Sequence, residues 1–213
     1  MLENDDKRIF KIITLGDSGV GKTSILKRFV TGKFEKNTLS IIGFESLTKE
    51  IELKNGTKIT LQLIDTAGQE NYHSLATRYI RNADGILFVF SHDNRDSFYN
   101  IKKWLDSFQD NNRDINFDKE FPAILVGNKC DLEHSIDDLE IQELKDDNNL
   151  YASANTSAKE NIGIDRLFNR MGEMLFKNKG KGKKKQNMMQ FKKHKKRKEI
   201  NFASWFFNFR AIN

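Results

Sequence analysis

Apolar runs and stretches of helical spacing alternate along the chain. Three nearly continuous apolar runs are typical of strands buried on both faces of a sheet: residues 9–15, 85–90 and 123–127. Two further strands are predicted at residues 45–53 and 58–64, and Asn55-Gly56 between them is a strong signal for a β-hairpin. Apolar residues recur with helical spacing in four segments: 24–30, 96–108, 135–145 and 163–176.

A short strand is predicted at about residues 150–154, so strands alternate with helices through most of the chain. That order predicts an α/β fold with a mostly parallel sheet. Trp104 lies on the apolar side of the helix predicted at 96–108, and we expect its side chain to be part of the core.

The segment from Gly16 to Thr23 matches the pattern G-x-x-x-x-G-K-[ST] of a phosphate-binding loop. It follows a predicted strand and precedes a predicted helix, which is the context that this motif requires. Glycines allow successive backbone N–H groups to point at phosphate oxygens, and the N-terminus of the helix adds its positive dipole. Lys22 is predicted to reach the β- and γ-phosphates, and the Thr23 hydroxyl is predicted to bind Mg²⁺. An ordinary glycine-rich turn is the alternative for this motif taken alone.

Three more motifs occur in order, each after a predicted strand: Asp65-Thr66-Ala67-Gly68-Gln69-Glu70, Asn128-Lys129-Cys130-Asp131 and Thr156-Ser157-Ala158-Lys159. With the phosphate loop, they resemble the motifs of a small GTPase of the Ras superfamily, nearest to the Rab branch, over residues 9–176. The resemblance implies the G domain of a P-loop NTPase. That domain has a six-stranded, mostly parallel sheet with one antiparallel edge strand, and helices on both faces.

The resemblance also implies that GTP or GDP is bound by residues from all of these motifs. The implied nucleotide-binding residues are Asp17, Ser18, Gly19, Val20, Gly21, Lys22, Thr23, Ser24, Phe34, Asp65, Gly68, Asn128, Lys129, Asp131, Ser157, Ala158 and Lys159.

The implied selection of guanine has a physical basis. A carboxylate at Asp131 accepts hydrogen bonds from two guanine N–H groups, a pair that adenine does not offer. Lys129 would lie along the base, and the Ala158 backbone N–H would meet the guanine oxygen. Phe34 would pack against the base, and its alternative role is to cover the end of the first helix.

The resemblance assigns Gln69 as the catalytic residue that orients the attacking water, with Gly68 at the γ-phosphate. Magnesium would be held by Thr23 and, through water, by Asp65. No built-in arginine finger is evident in the sequence, so we expect slow hydrolysis that an activating protein accelerates in trans.

The first switch loop departs from the family pattern. Where the family has a threonine that binds Mg²⁺ and touches the γ-phosphate, this chain has Ile41, which has no side-chain oxygen. Ser40 is the candidate replacement ligand, and Thr38 is a more distant one. Because GTP is sensed through these contacts, the substitution favours an alternative function, a scaffold that holds guanine nucleotide without cycling.

Charge is divided unevenly along the chain. Residues 177–213 contain 13 Lys or Arg and one acidic residue, whereas residues 1–176 have a net charge of −6. The globular part is therefore mildly acidic, and nucleic acid is not its expected partner. The chain has one cysteine, its N-terminus is acidic, and each of its apolar runs is too short to span a membrane. These features predict an intracellular, cytoplasmic protein.

The tail has no cysteine, so we expect no prenylation. It combines a basic run at residues 192–198 with an aromatic cluster at 202–209, and these favour binding to an anionic membrane surface. The alternatives are a nuclear or RNA-directed address and a gene-model error that has removed a cysteine-containing end.

These observations predict three parts: an extension at residues 1–8, a G domain at 9–176 and a flexible tail at 177–213. The predicted function is a monomeric, Rab-like switch in vesicle traffic at the cytoplasmic face of an endomembrane. Its expected partners are an exchange factor, an activating protein and effectors. Two aromatic positions read by Rab effectors are altered, to Ser46 and Ile64, while Tyr79 is kept, so we expect unusual effectors.

Overall fold

A six-stranded sheet forms the centre of the molecule, with the strand order β2-β3-β1-β4-β5-β6. The computed structural model describes residues 8–35, 44–66, 83–111 and 121–179. Five strands are parallel, and β2 pairs antiparallel with β3 at one edge. The strands are β1 Ile9–Leu15, β2 Phe44–Glu52, β3 Lys58–Thr66, β4 Gly85–Ser91, β5 Ala123–Asn128 and β6 Ala152–Asn155. The predicted fold class is confirmed.

The hairpin between β2 and β3 turns at Asn55-Gly56, as the sequence predicts. Gly56 adopts a φ of +78°, a conformation that glycine reaches without a steric penalty. The Asn55 side-chain oxygen accepts a hydrogen bond from the Thr57 N–H at 3.0 Å. Pairing then runs without a break from Glu52↔Lys58 to Phe44↔Thr66.

The described helices are α1 Lys22–Thr31, α2 Arg95–Tyr99, α3 Ile101–Asn111, α4 Asp138–Asp147 and α5, residues 164–179. The helix predicted at 96–108 is thus divided into α2 and α3. Asn100 between them keeps a helical backbone (φ −70°, ψ −13°), so the two segments are nearly continuous. No described helix is both long and apolar enough to cross a membrane.

Helix α4 begins three residues later than predicted, because Ser135 is engaged elsewhere. Its N–H and its hydroxyl both donate to the His92 carbonyl, at 2.9 and 2.8 Å. The helix begins instead after Asp137, whose N–H donates to the Glu140 carboxylate at 3.1 Å.

Helices cover both faces of the sheet. On one face, Phe108 of α3 packs edge-on against Phe88 of β4, with ring centroids 6.2 Å apart. On the other face, Phe168 of α5 stacks on Phe29 of α1 at 3.9 Å. Every residue of β4 and of β5 is buried, as the continuous apolar runs predict.

The chain divides into two compact units, Met1–Leu175 and Phe176–Asn213. The sheet and the residues discussed below belong to the first unit. Of the second unit, residues 176–179 are described and are helical.

Candidate functional site

The described residues of the four sequence motifs meet at one edge of the sheet. The phosphate loop, residues 16–21, connects β1 to α1, while Asp65 is the second-last residue of β3 and Asn128 is the last residue of β5. Thr156 follows β6 directly. The carboxyl ends of parallel strands share an edge, and ligands of open α/β sheets bind there.

Two glycines are required for the shape of the phosphate loop. Gly16 has a φ of +147°, and a Cβ there would lie 2.0 Å from the Val89 carbonyl oxygen. Gly21 has a φ of +96°, and a Cβ there would lie 2.2 Å from Asn128 Nδ2. The loop therefore packs against β4 on one side and the end of β5 on the other, with no room for a side chain at either position.

Lys22 spans the phosphate loop with its charged end. The residue is 4% exposed, and its Nζ donates to the Gly16 and Asp17 carbonyl oxygens at 2.6 Å each. The two hydrogen bonds hold the end of this side chain against the loop. This position suits the binding of an anion by the loop.

Thr23 and Asp65 form the second charged part of the site. The Thr23 hydroxyl donates to Asp65 Oδ2 at 2.5 Å, and Asp65 is 3% exposed. Its other oxygen, Oδ1, is buried and has no hydrogen-bond partner. Burial raises the pKa of Asp65, whereas the Thr23 hydrogen bond and the charge of Lys22 oppose that rise. Hydroxyl and carboxylate oxygens are hard ligands, and the partnerless oxygen fits a Mg²⁺ ion or one of its waters.

Asn128, the last residue of β5, joins two loops of the site. Its Nδ2 donates to the Val20 carbonyl at 2.8 Å. Its Oδ1 accepts from the Thr156 hydroxyl at 3.2 Å and from the Ala158 N–H at 3.4 Å. The side chain is buried, so these bonds fix the phosphate loop relative to the segment at residues 156–159.

Lys129 and Asp131 follow Asn128 and are half-buried. Lys129 has a φ of +58°, which is uncommon for a residue with a side chain. Its Nζ lies 3.4 Å from the Asp93 carboxylate, and Lys159 Nζ lies 3.9 Å from Asp131 Oδ2. Lys129 and Asp131 thus contact charged neighbours from different parts of the chain.

This chain matches the Ras family model over residues 11–177. The chain belongs to the Ras family. Its curated relatives include Ras-related protein Rab-9A of Rattus norvegicus, which is 40% identical over 161 residues, 75% of this chain and 79% of that protein. Ypt/Rab-type GTPase YPT7 of Saccharomyces cerevisiae is 39% identical over 165 residues, 76% of this chain and 79% of its own length. Rab-10 of Diplobatis ommata is 40% identical over 169 residues, 78% and 80% of the two chains.

The resemblance to Rab proteins is thereby confirmed. This Ras-family protein is a Rab-like small GTPase, an enzyme of the GTP-hydrolysing class.

The structure describes most of the predicted site residues of this GTPase. Phe34 is 36% exposed, and its ring centroid lies 5.9 Å from the Arg28 guanidinium carbon. Ser18 and Gly19 are exposed on the phosphate loop, and Ser24 is half-buried in α1. The predictions for Ser40, Ile41, Gly68, Gln69 and Tyr79 fall outside the described residues.

Arg28 supports the candidate site through contacts that no sequence motif predicts. Its Nε donates to the Ala158 carbonyl and its terminal nitrogen to the Lys159 carbonyl, both at 2.7 Å. It therefore links α1 to the segment after β6 across 130 positions of sequence. Ser157 and Ile162 pair in an isolated bridge that closes this segment. One arginine thus connects the helix that follows the phosphate loop to the motif at residues 156–159.

Asp17 is also held from a distance. Asn100 Nδ2 donates to Asp17 Oδ2 at 2.7 Å, and Trp104 Nε1 donates to Asp17 Oδ1 at 2.8 Å. Trp104 packs partly against the core, as expected, but its indole N–H serves the phosphate loop. The Asp17 carboxylate thus ties the loop to α2 and α3 and is occupied within the protein.

Replacing Trp104 with phenylalanine is expected to loosen the phosphate loop. The substitution keeps an aromatic ring but removes the donor to a carboxylate, a loss of about 1–2 kcal/mol of folding free energy. Chemical unfolding should show a lower free energy of unfolding in the variant. The rate of GDP release should be higher than in the wild type. In an Asp17→Ala background the same substitution should have little further effect; equal effects in both backgrounds would contradict the contact.

His92 directly follows β4 and is completely buried. Its Nε2 is 3.1 Å from Asn155 Oδ1, and its ring stacks on that of His134 at 4.0 Å. Its Nδ1 is buried without a partner. Burial lowers the pKa of His92, and the neighbouring His134 adds to that effect, while the Asn155 bond and the charges of Asp138 and Asp93 oppose it.

The folded protein is therefore expected to lose stability as the pH falls below about 6.5, the ordinary pKa of histidine. In that range the unfolded chain takes up a proton that folded His92 resists, so the free energy of unfolding decreases until the pH reaches the lowered pKa. Urea unfolding of the wild type and of His92→Asn at pH 7.5 and 5.5 measures this. Equal pH slopes in the two proteins would contradict it.

Proposed function

We propose that this Rab-like GTPase binds GTP and GDP with Mg²⁺ and acts as a molecular switch in vesicle traffic. The proposal rests on one observation above all. A buried lysine ammonium, a hydroxyl–carboxylate pair with a partnerless oxygen, and an asparagine that joins two loops occupy one edge of the sheet. The lysine suits the phosphates, the hydroxyl–carboxylate pair suits the metal ion, and the asparagine supports the segments proposed to bind the base.

We propose the following assignment for the nucleotide. The loop from Asp17 to Ser24 holds the phosphates through its backbone N–H groups and the Lys22 ammonium. Asp131 selects guanine through its carboxylate, and the 157–159 segment closes over the base. Phe34 covers the base from the solvent side.

We assign Mg²⁺ to Thr23 and Asp65, with Ser40 as a further candidate ligand. When bound, the ion neutralises charge that develops on the phosphates during transfer. Burial raises the pKa of Asp65, and the protein opposes that rise in two ways: Thr23 donates to one of its oxygens, and Lys22 adds a favourable charge. Affinity for GDP, measured with Mg²⁺ and with EDTA, tests this assignment, and no dependence on the ion would refute it.

Hydrolysis is assigned to water oriented by Gln69. Because transfer of a phosphoryl group requires positioning more than covalent chemistry, the loss of this residue should stop turnover without stopping binding. Single-turnover hydrolysis by the wild type and by Gln69→Leu tests the role. If the two proteins release phosphate at the same rate, Gln69 is not the catalytic residue.

A scaffold that holds nucleotide without cycling is the second candidate. The observation in its favour is Ile41, which supplies no oxygen where the family has a metal-binding threonine. The affinities for GTP and GDP separate the two candidates. A switch binds both with Mg²⁺ dependence, whereas a scaffold of this kind prefers GDP strongly and gains little from Mg²⁺ in the GTP complex.

The traffic role is proposed from the Rab relatives, and we place its site at the cytoplasmic face of an endomembrane. We propose residues 9–176 as the G domain, which would act as a monomer. An exchange factor, an activating protein and effectors would regulate and read it. Affinity capture with the GTP-loaded and the GDP-loaded protein would reveal effectors as proteins retained by the GTP form alone.

The segment at 177–213 is proposed as the membrane-directed part. Each Lys or Arg near an anionic surface contributes about 1 kcal/mol, and the aromatic cluster can insert at the headgroup boundary. Sedimentation of the full chain with anionic and with neutral liposomes tests this. Binding to the anionic liposomes supports the proposal, while failure with both would refute it.

A further inference from the structure

Three buried side-chain atoms have no hydrogen-bond partner among the residues described: Glu45 Oε2, Asp65 Oδ1 and His92 Nδ1. Two of the three belong to neighbours. Glu45 of β2 is paired directly with Asp65 of β3 in the antiparallel ladder. Side chains of directly paired residues lie on the same face of a sheet, with Cβ atoms about 5 Å apart.

That face is the one covered by α1. Along β2, the half-buried or buried positions are Glu45, Leu47, Lys49 and Ile51, and the residues between them are exposed. Lys49 Nζ lies 4.1 Å from the centroid of the Phe29 ring of α1. Glu45 therefore faces the side of the sheet from which Thr23 of α1 reaches Asp65.

The two carboxylates are close enough to interact. The charge of Glu45 contributes to the raised pKa of Asp65, after the larger effect of burial. Lys22 and Lys27 oppose it. Lys22 donates to carbonyls of the phosphate loop, and none of the ion pairs in the described ranges joins Lys27 to Glu45.

Two facing carboxylates with buried, partnerless oxygens repel one another when both are ionised, and a cation or its water between them removes that cost. The nearest ammonium, that of Lys22, already donates to the Gly16 and Asp17 carbonyl oxygens. A hydrated divalent ion satisfies both, because Mg²⁺ keeps several waters that donate to surrounding carboxylates. Glu45 thus adds a second carboxylate to the site, on the side of β2, beside the Thr23–Asp65 pair.

We propose that Glu45 helps to hold the Mg²⁺ ion of this site by accepting hydrogen bonds from the water that the ion retains. This inference rests on the proposed function, since it concerns the ion of the nucleotide complex. It assigns to β2 a contribution to metal affinity that is independent of the switch-loop residues. Because this role acts through the water of the ion, Glu45 is a positioning residue.

The test is the Mg²⁺ affinity of the GDP complex of the full chain. GDP release is followed with a fluorescent GDP analogue while free Mg²⁺ is varied, and Mn²⁺ binding is measured independently by electron paramagnetic resonance. Glu45→Gln keeps the shape and removes the charge. We expect metal affinity to fall about 10-fold or more, the usual cost of losing an outer-shell partner. GDP release in excess EDTA should be the same as in the wild type.

Glu50→Gln is the matched control. Glu50 lies on the same strand but on the exposed face, where it pairs with Lys58 at 3.5 Å. It should leave the metal affinity unchanged. Glu45→Asp keeps the charge with a shorter side chain, and it should bind the ion more tightly than Glu45→Gln.

Unchanged Mg²⁺ affinity in both Glu45 variants would overturn the inference. Equal losses in Glu45→Gln and Glu50→Gln would also overturn it, because a general change in charge would then explain the effect. Thermal unfolding in EDTA shows whether each variant folds, and Glu45→Asp provides the test if Glu45→Gln does not. Failure of the wild type to bind GDP would refute the proposed function instead, and is distinguishable from these outcomes.

Discussion

Replacing Asn128 with alanine is expected to weaken GDP binding about 100-fold or more, since each lost buried hydrogen bond costs about 1–3 kcal/mol and each 1.4 kcal/mol is tenfold in affinity. The side chain holds the Val20 carbonyl of the phosphate loop and accepts bonds from Thr156 and Ala158. Its loss frees two loops of the site at once. Equilibrium titration with GDP measures the effect.

Asn148→Ala is the matched control for this prediction. Asn148 Nδ2 donates to the Leu144 carbonyl at 2.8 Å, so its side chain acts within the end of α4. Its removal should lower stability slightly and leave the GDP affinity unchanged. If both variants lost affinity equally, a general loss of stability would explain the effect, and the linking role of Asn128 would be wrong.

Gly16→Ala is expected to destabilise the fold by about 3 kcal/mol or more, at the upper end of single substitutions. The new methyl group would lie 2.0 Å from the Val89 carbonyl oxygen, which belongs to the central strand β4 and cannot move aside. The backbone conformation, with φ +147°, is also one that alanine rarely adopts. Chemical unfolding of the wild type and the variant measures the loss.

Gly32→Ala separates crowding from backbone strain. Gly32 has a φ of +71° after α1, and a Cβ there would meet nothing within 4 Å. Its replacement should cost only about 1 kcal/mol, which is the strain of the left-handed conformation. A Gly16→Ala protein no less stable than Gly32→Ala would show that the loop does not pack against β4 as described.

The hydrophobic pattern was sufficient to predict the strands and the α/β class, because burial in a sheet follows from the local sequence, whereas the six strands and the antiparallel edge followed from the resemblance to small GTPases. The apolar runs at 85–90 and 123–127 became the fully buried β4 and β5, and Asn55-Gly56 became the hairpin turn. Helix ends were less accurate. The start of α4 depends on the His92 carbonyl, which is 43 positions from Ser135 and leaves no local signal.

The candidate site was predictable where its residues form motifs and unpredictable where distant residues support them. Lys22, Thr23, Asp65 and Asn128 lie at the carboxyl edge of the sheet, and their roles there stay predictions. Arg28, which binds the carbonyls of Ala158 and Lys159, and the Trp104 bond to Asp17 were not predictable. Periodicity identifies the face on which a residue lies, but not the partner that its polar end will find.

The most direct test of the central claim, a Mg²⁺-dependent site for guanine nucleotide, is a competition titration on the full chain. Fluorescent GDP is bound first, and GTP, GDP or ATP is added with Mg²⁺ or with EDTA. We predict displacement by GTP and GDP and none by ATP even at about a thousandfold excess. Adenine would leave the guanine-binding groups of the site without hydrogen-bond partners, and such a mismatch lowers affinity by about 10⁴-fold. Displacement by ATP as effective as by GTP, or binding of GDP that ignores Mg²⁺, would contradict the account.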